Sequence, residues 1–206
     1  AELQAMEAQI DPHFLYNTLD TINWKALEHD DFEVSNMVGA LADILRYSIR
    51  NPGDMVSIGQ ELSWLERYTM LQKEKLDQPL MIKTEMPEKL MGYRIHKLLL
   101  QPFVENAINH GFRRMTKPCC IEITMKLFGA QLYIRIRDNG CGLPQELVNE
   151  LNNKNSSDGN HVGVANVRKR LELYYGEEHE MYFESREGEG TSVHLFICAE
   201  GGRRAE

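Results

Sequence analysis

The sequence predicts an α+β protein in two parts: a helical N-terminal domain over residues 1–76, then a sandwich over 77–206 in which helices cover one face of a mixed sheet. Apolar residues recur at three- and four-residue steps through the first part, the period of amphipathic helices. From about Asp77 the texture changes to alternating strand-like segments, separated by helical stretches and glycine-containing turns.

The first helix is expected over residues 1 to about 29, with Leu3, Met6, Ile10, Leu15, Leu19, Ile22 and Ala26 forming its stripe. Asp11-Pro12 interrupts it: Asp11 caps the next turn, and Pro12 fits a first helical position, where its missing N–H costs nothing. A kink just before His13 follows, and beyond it His13, Asn17 and Asp20 fall on one face. A second helix, about Asp31 to Arg50, carries the seam Val34, Val38, Leu41, Leu45 and Ile49, and Asn51-Pro52-Gly53-Asp54 ends it. Ser57 with Gln60 and Glu61 suits a capped start for a third helix running to about Leu76. These helices cannot bury all their apolar faces within one chain, so a homodimer completing a four-helix bundle is expected.

In the second part, strands are expected at 80–86, 121–128, 131–138, 180–185 and 191–197, with hairpin turns at Gly129-Ala130 and Glu187 to Gly190. Helices are expected near 96–110, 144–152 and 163–175. Residues 152–162 are polar, without periodicity, and suit a lid between two pocket motifs.

Composition narrows the function. A net charge of -8 with dispersed basic residues argues against nucleic acid as the main partner. No apolar run approaches the roughly 18 residues of a membrane span. The chain starts without an initiator Met or a signal-peptide pattern, which fits a fragment whose upstream part lies outside this sequence. Cys119, Cys120, Cys141 and Cys198 form no metal-type spacing, so buried thiols are expected rather than zinc or disulfides.

Four segments concentrate the chemistry. Asp138-Asn139-Gly140-Cys141-Gly142 ends an apolar strand, where a carboxylate can meet a ligand and glycines let backbone approach closely. Glu105-Asn106 lies on an earlier helix, Gly163 opens a later one, and Gly188-Glu189-Gly190-Thr191 precedes a strand. Residues 98–111, 138–143, 161–171 and 188–195 together resemble the asparagine box and three glycine boxes of the GHKL ATPase superfamily, which includes histidine kinases, DNA gyrase, MutL and the heat-shock chaperone. Residues 3 to about 76, with QIDPHFLYNTLD and LRYSIR, resemble the phosphoacceptor domain of LytS/YesM-type sensor histidine kinases.

The resemblance implies an ATP site in which Asp138 accepts the adenine amino proton and Asn106 holds Mg2+. A carboxylate only accepts, which matches the amino donor of adenine and disfavours guanine. Mg2+ prefers oxygen ligands and retains waters, so one amide plus phosphate oxygens suffices. Asn109 and His110, one turn on, are candidates for phosphate contact. Gly163 offers backbone N–H groups at a helix start, with Asn166 and Arg168 behind it, and Arg168 has a solvated helix face as its alternative. Gly140, Gly142, Gly190 and Thr191 are expected at the pocket wall, with a plain hairpin as the alternative for the last two. His13 is the implied phosphoacceptor, since a neutral imidazole is a competent nucleophile near neutral pH.

Departures from the family pattern qualify these roles. Phe14 stands where many histidine kinases carry an acid after the histidine, which leaves Asp11, Asn17 and Asp20 as candidates to orient the proton. His161 replaces the first glycine of the second glycine box. Pro102 stands where the ATPase relatives have the glutamate that activates water, which disfavours hydrolysis. Glu105 either orients the nucleophile or holds the helix. The resulting expectation is a histidine kinase core that autophosphorylates from ATP and passes the phosphoryl group to an Asp of a response regulator receiver domain. A nucleotide-switch ATPase and a degenerate dimer scaffold are the alternatives.

Overall fold

The computed structural model describes residues 12–49, 54–113, 115–153 and 162–198. The chain packs as two compact units, Ala1–Pro52 and Gly53–Glu206. Expectations for Leu3, Met6, Ile10, Asp11, the 51–53 stop, His161 and most of the 152–162 lid fall outside the described residues.

The first unit is an αα-hairpin of α1 (Pro12–Glu28) and α2 (Phe32–Ile49). Asp30 takes a left-handed φ of 55° in the turn, and the Asp31 side chain accepts from the Val34 N–H at 3.1 Å, capping α2. Ser35 donates to Asn23 across the pair at 2.6 Å, and the Arg46 guanidinium lies over the Tyr16 ring at 5.7 Å. Small residues make the seam, because Ala26, Ala40 and Ala42 are the buried apolar side chains of this unit among the described residues. Phe14, Trp24 and Phe32 remain 66%, 68% and 63% exposed.

The second unit opens with β1 (Met55–Ser57) and α3 (Ile58–Gln72). The expected cap is present: the Gln60 N–H donates to Ser57 Oγ at 3.1 Å, and Gln60 Oε1 accepts from the Ser57 N–H at 2.9 Å. By packing, α3 belongs to this unit. Its buried face of Ile58, Leu62, Trp64 and Leu65 packs against β1 and the turn at 88–92. The expected boundary at 76 marks the change in sequence texture, whereas the packing divides ahead of β1.

A five-stranded sheet follows, in the order β2-β4-β5-β7-β6, from β2 (Leu80–Glu85), β4 (Cys119–Phe128), β5 (Gln131–Asp138), β6 (Glu180–Arg186) and β7 (Gly190–Cys198). The β2–β4 pair is parallel and the others are antiparallel. β1 pairs with β3 (Arg94–His96) in a separate two-stranded ribbon, too short to leave an alternation signal. Alternation drives the layering. Ile121, Ile123, Met125, Leu132, Ile134, Ile136, Leu195 and Ile197 are buried, as are Phe103, Val104, Val148, Leu151, Val167 and Leu171 from α4 (Gln101–Asn106), α5 (Gln145–Asn152) and α6 (Val162–Tyr175). The opposite sheet face carries an aromatic row: Tyr182 stacks on His194 at 4.5 Å, and the Tyr133 hydroxyl lies 2.9 Å from His194 Nδ1. Burial pulls the His194 pKa down from its ordinary value, against the Glu184 carboxylate, which raises it.

The thiol expectation needs correction. Cys119 is buried and Cys120 half-buried, but Cys141 and Cys198 are exposed, because each lies where a strand gives way to loop. Among the described residues, no helix is long and apolar enough to cross a membrane.

Candidate functional site

At the C-terminal end of β5 a cavity of about 560 Å³ opens. Asn106, His110, Asp138, Gly142, Gly163 and Thr191 line it with an apolar slot of Phe103, Leu143, Leu147, Leu151, Val164, Phe183 and Val193. Residues singled out in distant sequence segments thus reach one space. The slot is apolar surface with few polar groups, the composition that holds a planar base.

Asp138 is the fixed polar point. Its Oδ1 accepts from the Gly140 N–H at 2.8 Å and the Thr191 N–H at 3.3 Å, which leaves Oδ2 for a ligand. Burial raises its carboxyl pKa, and the two backbone donors partly offset that. The glycines serve a purpose other than the expected approach to ligand. A Cβ on Gly140 would stand 2.4 Å from the Gly111 carbonyl oxygen, and one on Gly190, whose φ is 95°, 2.0 Å from the Asp138 carbonyl oxygen. They let three loops close on one another and fix Asp138. Gly163, by contrast, has nothing within 4 Å of an added Cβ, so its backbone faces open space at the start of α6.

Side chains outside the expected set complete this closure. Ser185 Oγ accepts from the Leu143 N–H at 2.8 Å and lies 2.8 Å from the Gly190 carbonyl oxygen and 2.9 Å from Thr191 Oγ1, tying the DNGCG loop to the hairpin. Asn139 accepts from the Cys120 N–H at 2.7 Å and donates to the Pro118 carbonyl at 2.9 Å. Asn139 was within sight in the tripeptide. Ser185 had no local signal, being one serine in an amphipathic strand.

Other expected residues lie elsewhere. After Asn106 the helix widens into a π turn, Ala107–Gly111, which keeps His110 and Gly111 on the cavity wall with Asn106 and swings Asn109 away. Asn109 lines a second cavity of about 300 Å³ with Lys75, Gln78 and Arg113. Glu105 is absent from the main cavity wall: its Oε1 accepts from Gln101 at 2.6 Å, and its carboxylate lies beside the Tyr68 hydroxyl, whose pKa is pushed up by burial and then by this charge. Arg168 donates to the Leu151 carbonyl at the end of α5, and burial lowers its pKa. Asn166 is exposed on α6, outside the lining. His13 and Asn17 are exposed one turn apart on α1, in the other compact unit.

The donor set fits a nucleotide with Mg2+. Among the described residues no group of three His, Cys, Asp or Glu side chains forms a metal cage. Asn106 instead presents a neutral amide at the cavity, the kind of oxygen ligand that suits a cation carried chiefly by phosphates and water.

Comparison with known proteins agrees with this geometry. Residues 1–80 match the histidine kinase family model, and residues 94–201 match that of the histidine kinase-, DNA gyrase B-, and HSP90-like ATPases. The sensor histidine kinase YesM of Bacillus subtilis is 34% identical over 95% of this chain and 33% of its own length. The sensor protein kinase HptS of Staphylococcus aureus is 30% identical over 93% of this chain and 37% of its own. This chain therefore spans about a third of the length of these curated relatives. The histidine kinase domain of a blue-light activated kinase from Erythrobacter litoralis shares the fold, with a TM-score of 0.50 at 15% identity over 91% of this chain and 93% of that one. The cavity is built from the asparagine and glycine segments, and the chain belongs to the histidine kinase-, DNA gyrase B-, and HSP90-like ATPase family.

Proposed function

We propose that the chain is the kinase core of a two-component sensor, in which ATP bound within residues 77–206 phosphorylates His13 within residues 1–76. The observation that carries this reading is the Asp138 carboxylate, held by two backbone N–H groups at the floor of an apolar slot, with Asn106 and Gly163 on the cavity wall. Asp138 Oδ2 accepts from the adenine amino group while the slot takes the ring. The first turn of α6, which contains Gly163, offers its backbone N–H groups to the phosphates. Asn106 would hold Mg2+, with His110 and Thr191 on the same cavity wall, and the bound ion would supply neutralisation of phosphate charge.

A ring nitrogen of His13 attacks the γ-phosphorus. The new N–P bond replaces the bridging O–P bond, ADP departs, and the imidazole N–H proton is lost to an acceptor for which Asn17 and Asp20 supply orientation. Positioning dominates such loose transition states. Pro102 in place of a water-activating glutamate disfavours hydrolysis. The phosphohistidine then donates to a response regulator aspartate. The exposed apolar face of the αα-hairpin supports a homodimer, and the likeness to sensor kinases supports a cytoplasmic placement in a longer protein with an upstream transmembrane sensor region.

Incubation with γ-labelled ATP and Mg2+ tests the reading. The expected label on His13 is lost in acid and kept in base, because protonating a phosphoramidate nitrogen creates a good leaving group. His13→Ala should abolish it with nucleotide binding intact, since acceptor and cavity belong to different compact units. An acid-stable label that persists in His13→Ala rejects the assignment.

A further inference from the structure

Helix α4 has six residues before its π turn, too few to hold its own direction. Its bearings come from α3. Glu61 is fully buried, and its carboxylate spans the entry to α4: Oε2 accepts from the Leu98 N–H at 2.9 Å and Oε1 from the Leu100 N–H at 3.1 Å. Leu98 sits at a φ of 58°, an unfavourable state for leucine that persists only when its surroundings hold it. The opposite side of that turn is held from α6, where the Arg170 guanidinium donates to the Lys97 and Leu98 carbonyls at 3.1 and 3.2 Å.

Two helical turns beyond Glu61, on the same face of α3, the Tyr68 hydroxyl lies beside the carboxylate of Glu105, the residue before Asn106, so that burial first and this charge next push its pKa up. Gln101 completes the Glu105 carboxylate's contacts from one turn back on α4. Glu61 therefore grips the start of α4 and Tyr68 its end, while the turn between α3 and α4 is shared with the helix that opens at Gly163.

We propose that Glu61 and Tyr68 are positioning residues that set the location of Asn106, so that α3, which connects to the acceptor unit in sequence, determines how well the cavity takes metal-bound phosphates. This rests on the nucleotide reading above. It also gives Glu105 a definite role, because its carboxylate is the handle by which α3 holds Asn106, and it does not orient the nucleophile. A purely structural carboxylate at Glu61 would affect folding and leave metal dependence alone.

The two are separated by measuring the affinity of the full chain for AMP-PNP with saturating Mg2+ and with EDTA, together with the thermal unfolding midpoint. In the wild type, Mg2+ should strengthen binding; a wild type with no such gain overturns the Asn106 metal role and this inference with it. Tyr68→Phe removes one hydroxyl and keeps the ring stacked on Trp64, so the fold should survive. Its Mg2+-dependent gain should shrink severalfold, less than the roughly 10- to 100-fold cost of losing a group bonded directly to a metal ligand, because Tyr68 acts through Glu105, with EDTA affinity and midpoint close to wild type. Glu61→Gln should lose more, because an amide NH2 then faces a backbone N–H at the α4 entry. A normal wild-type gain that stays undiminished in Tyr68→Phe, or an equal loss with and without Mg2+, overturns the inference and leaves the nucleotide reading standing.

Discussion

Replacing Asp138 by asparagine tests the nucleotide site at the atom on which it turns. The Gly140 and Thr191 N–H groups both point at Oδ1, at 2.8 and 3.3 Å. The amide in Asp138→Asn must therefore keep its oxygen there, since the reverse orientation sets an NH2 group against two donors. Its nitrogen takes the place of Oδ2, and a donor then confronts the amino donor of adenine. The charge-assisted bond lost is worth about 1.5–3 kcal/mol, or roughly a 10- to 150-fold weaker ATP complex. Inosine triphosphate, with a carbonyl in place of the amino group, meets the new nitrogen as an acceptor and should lose little. Competition titrations against a fluorescent ATP analogue read both affinities, and the preference for ATP over inosine triphosphate should fall by at least about tenfold. The same variant should melt at a higher temperature near neutral pH. Burial raises the Asp138 pKa, so the fold penalises the ionised form; removing the charge removes a penalty that is present above the folded pKa and fades as acid protonates the group. A variant that keeps the wild-type preference between the two nucleotides would refute the adenine contact, because the exchange of acceptor for donor at that one atom is the whole of the change.

Gly190→Ala should cost at least about 1–3 kcal/mol from backbone strain alone, before counting a Cβ 2.0 Å from the Asp138 carbonyl oxygen, and urea denaturation reads it as a lower midpoint. An unchanged midpoint would mean that the hairpin and the DNGCG loop are not locked together. With Phe14, Trp24 and Phe32 each more than 60% exposed on a hairpin whose own seam is alanine, the chain should run as a dimer in light scattering at micromolar concentration. A monomer there would contradict the dimer reading.

Much of this architecture was legible because burial on one face writes a period into a strand or helix. All five sheet strands lie within one or two residues of the expected segments, and the α3 cap follows from Ser57 and Gln60. What was illegible depends on partners remote in sequence. Glu61 reads locally as a first-turn acid of an amphipathic helix, and nothing near it reveals N–H donors 37 and 39 residues away. Arg168 reads as a solvated helix charge until α5 is known to end against it. Asn109 follows Asn106 at a spacing that predicts a shared face on an α-helix, and the π turn cancels that prediction through a change of helical pitch that no residue type announces.

The same distinction decides what the glycine boxes are for. Sequence reasoning brings Gly140 and Gly142 to the ligand, since a missing side chain invites close approach, and leaves Gly190 between the pocket wall and a plain hairpin. Gly140 and Gly190 instead meet backbone from Gly111 and Asp138, at distances that no side chain would allow. Their contribution is to bring the end of the π turn, the DNGCG loop and the β6–β7 hairpin into contact. The donors of Gly140 and Thr191 then converge on one oxygen, and the other oxygen of Asp138 is presented to the cavity. Recognition of a base by a single carboxylate works only if that carboxylate cannot turn, and here its rotation is blocked by loops packed without intervening side chains. Gly163 differs, with nothing within 4 Å of an added Cβ in the first turn of α6. One residue type thus has two settings in one pocket: glycine packed against backbone fixes the carboxylate proposed to choose the base, while Gly163 leaves open space in the helix turn proposed to take the phosphates.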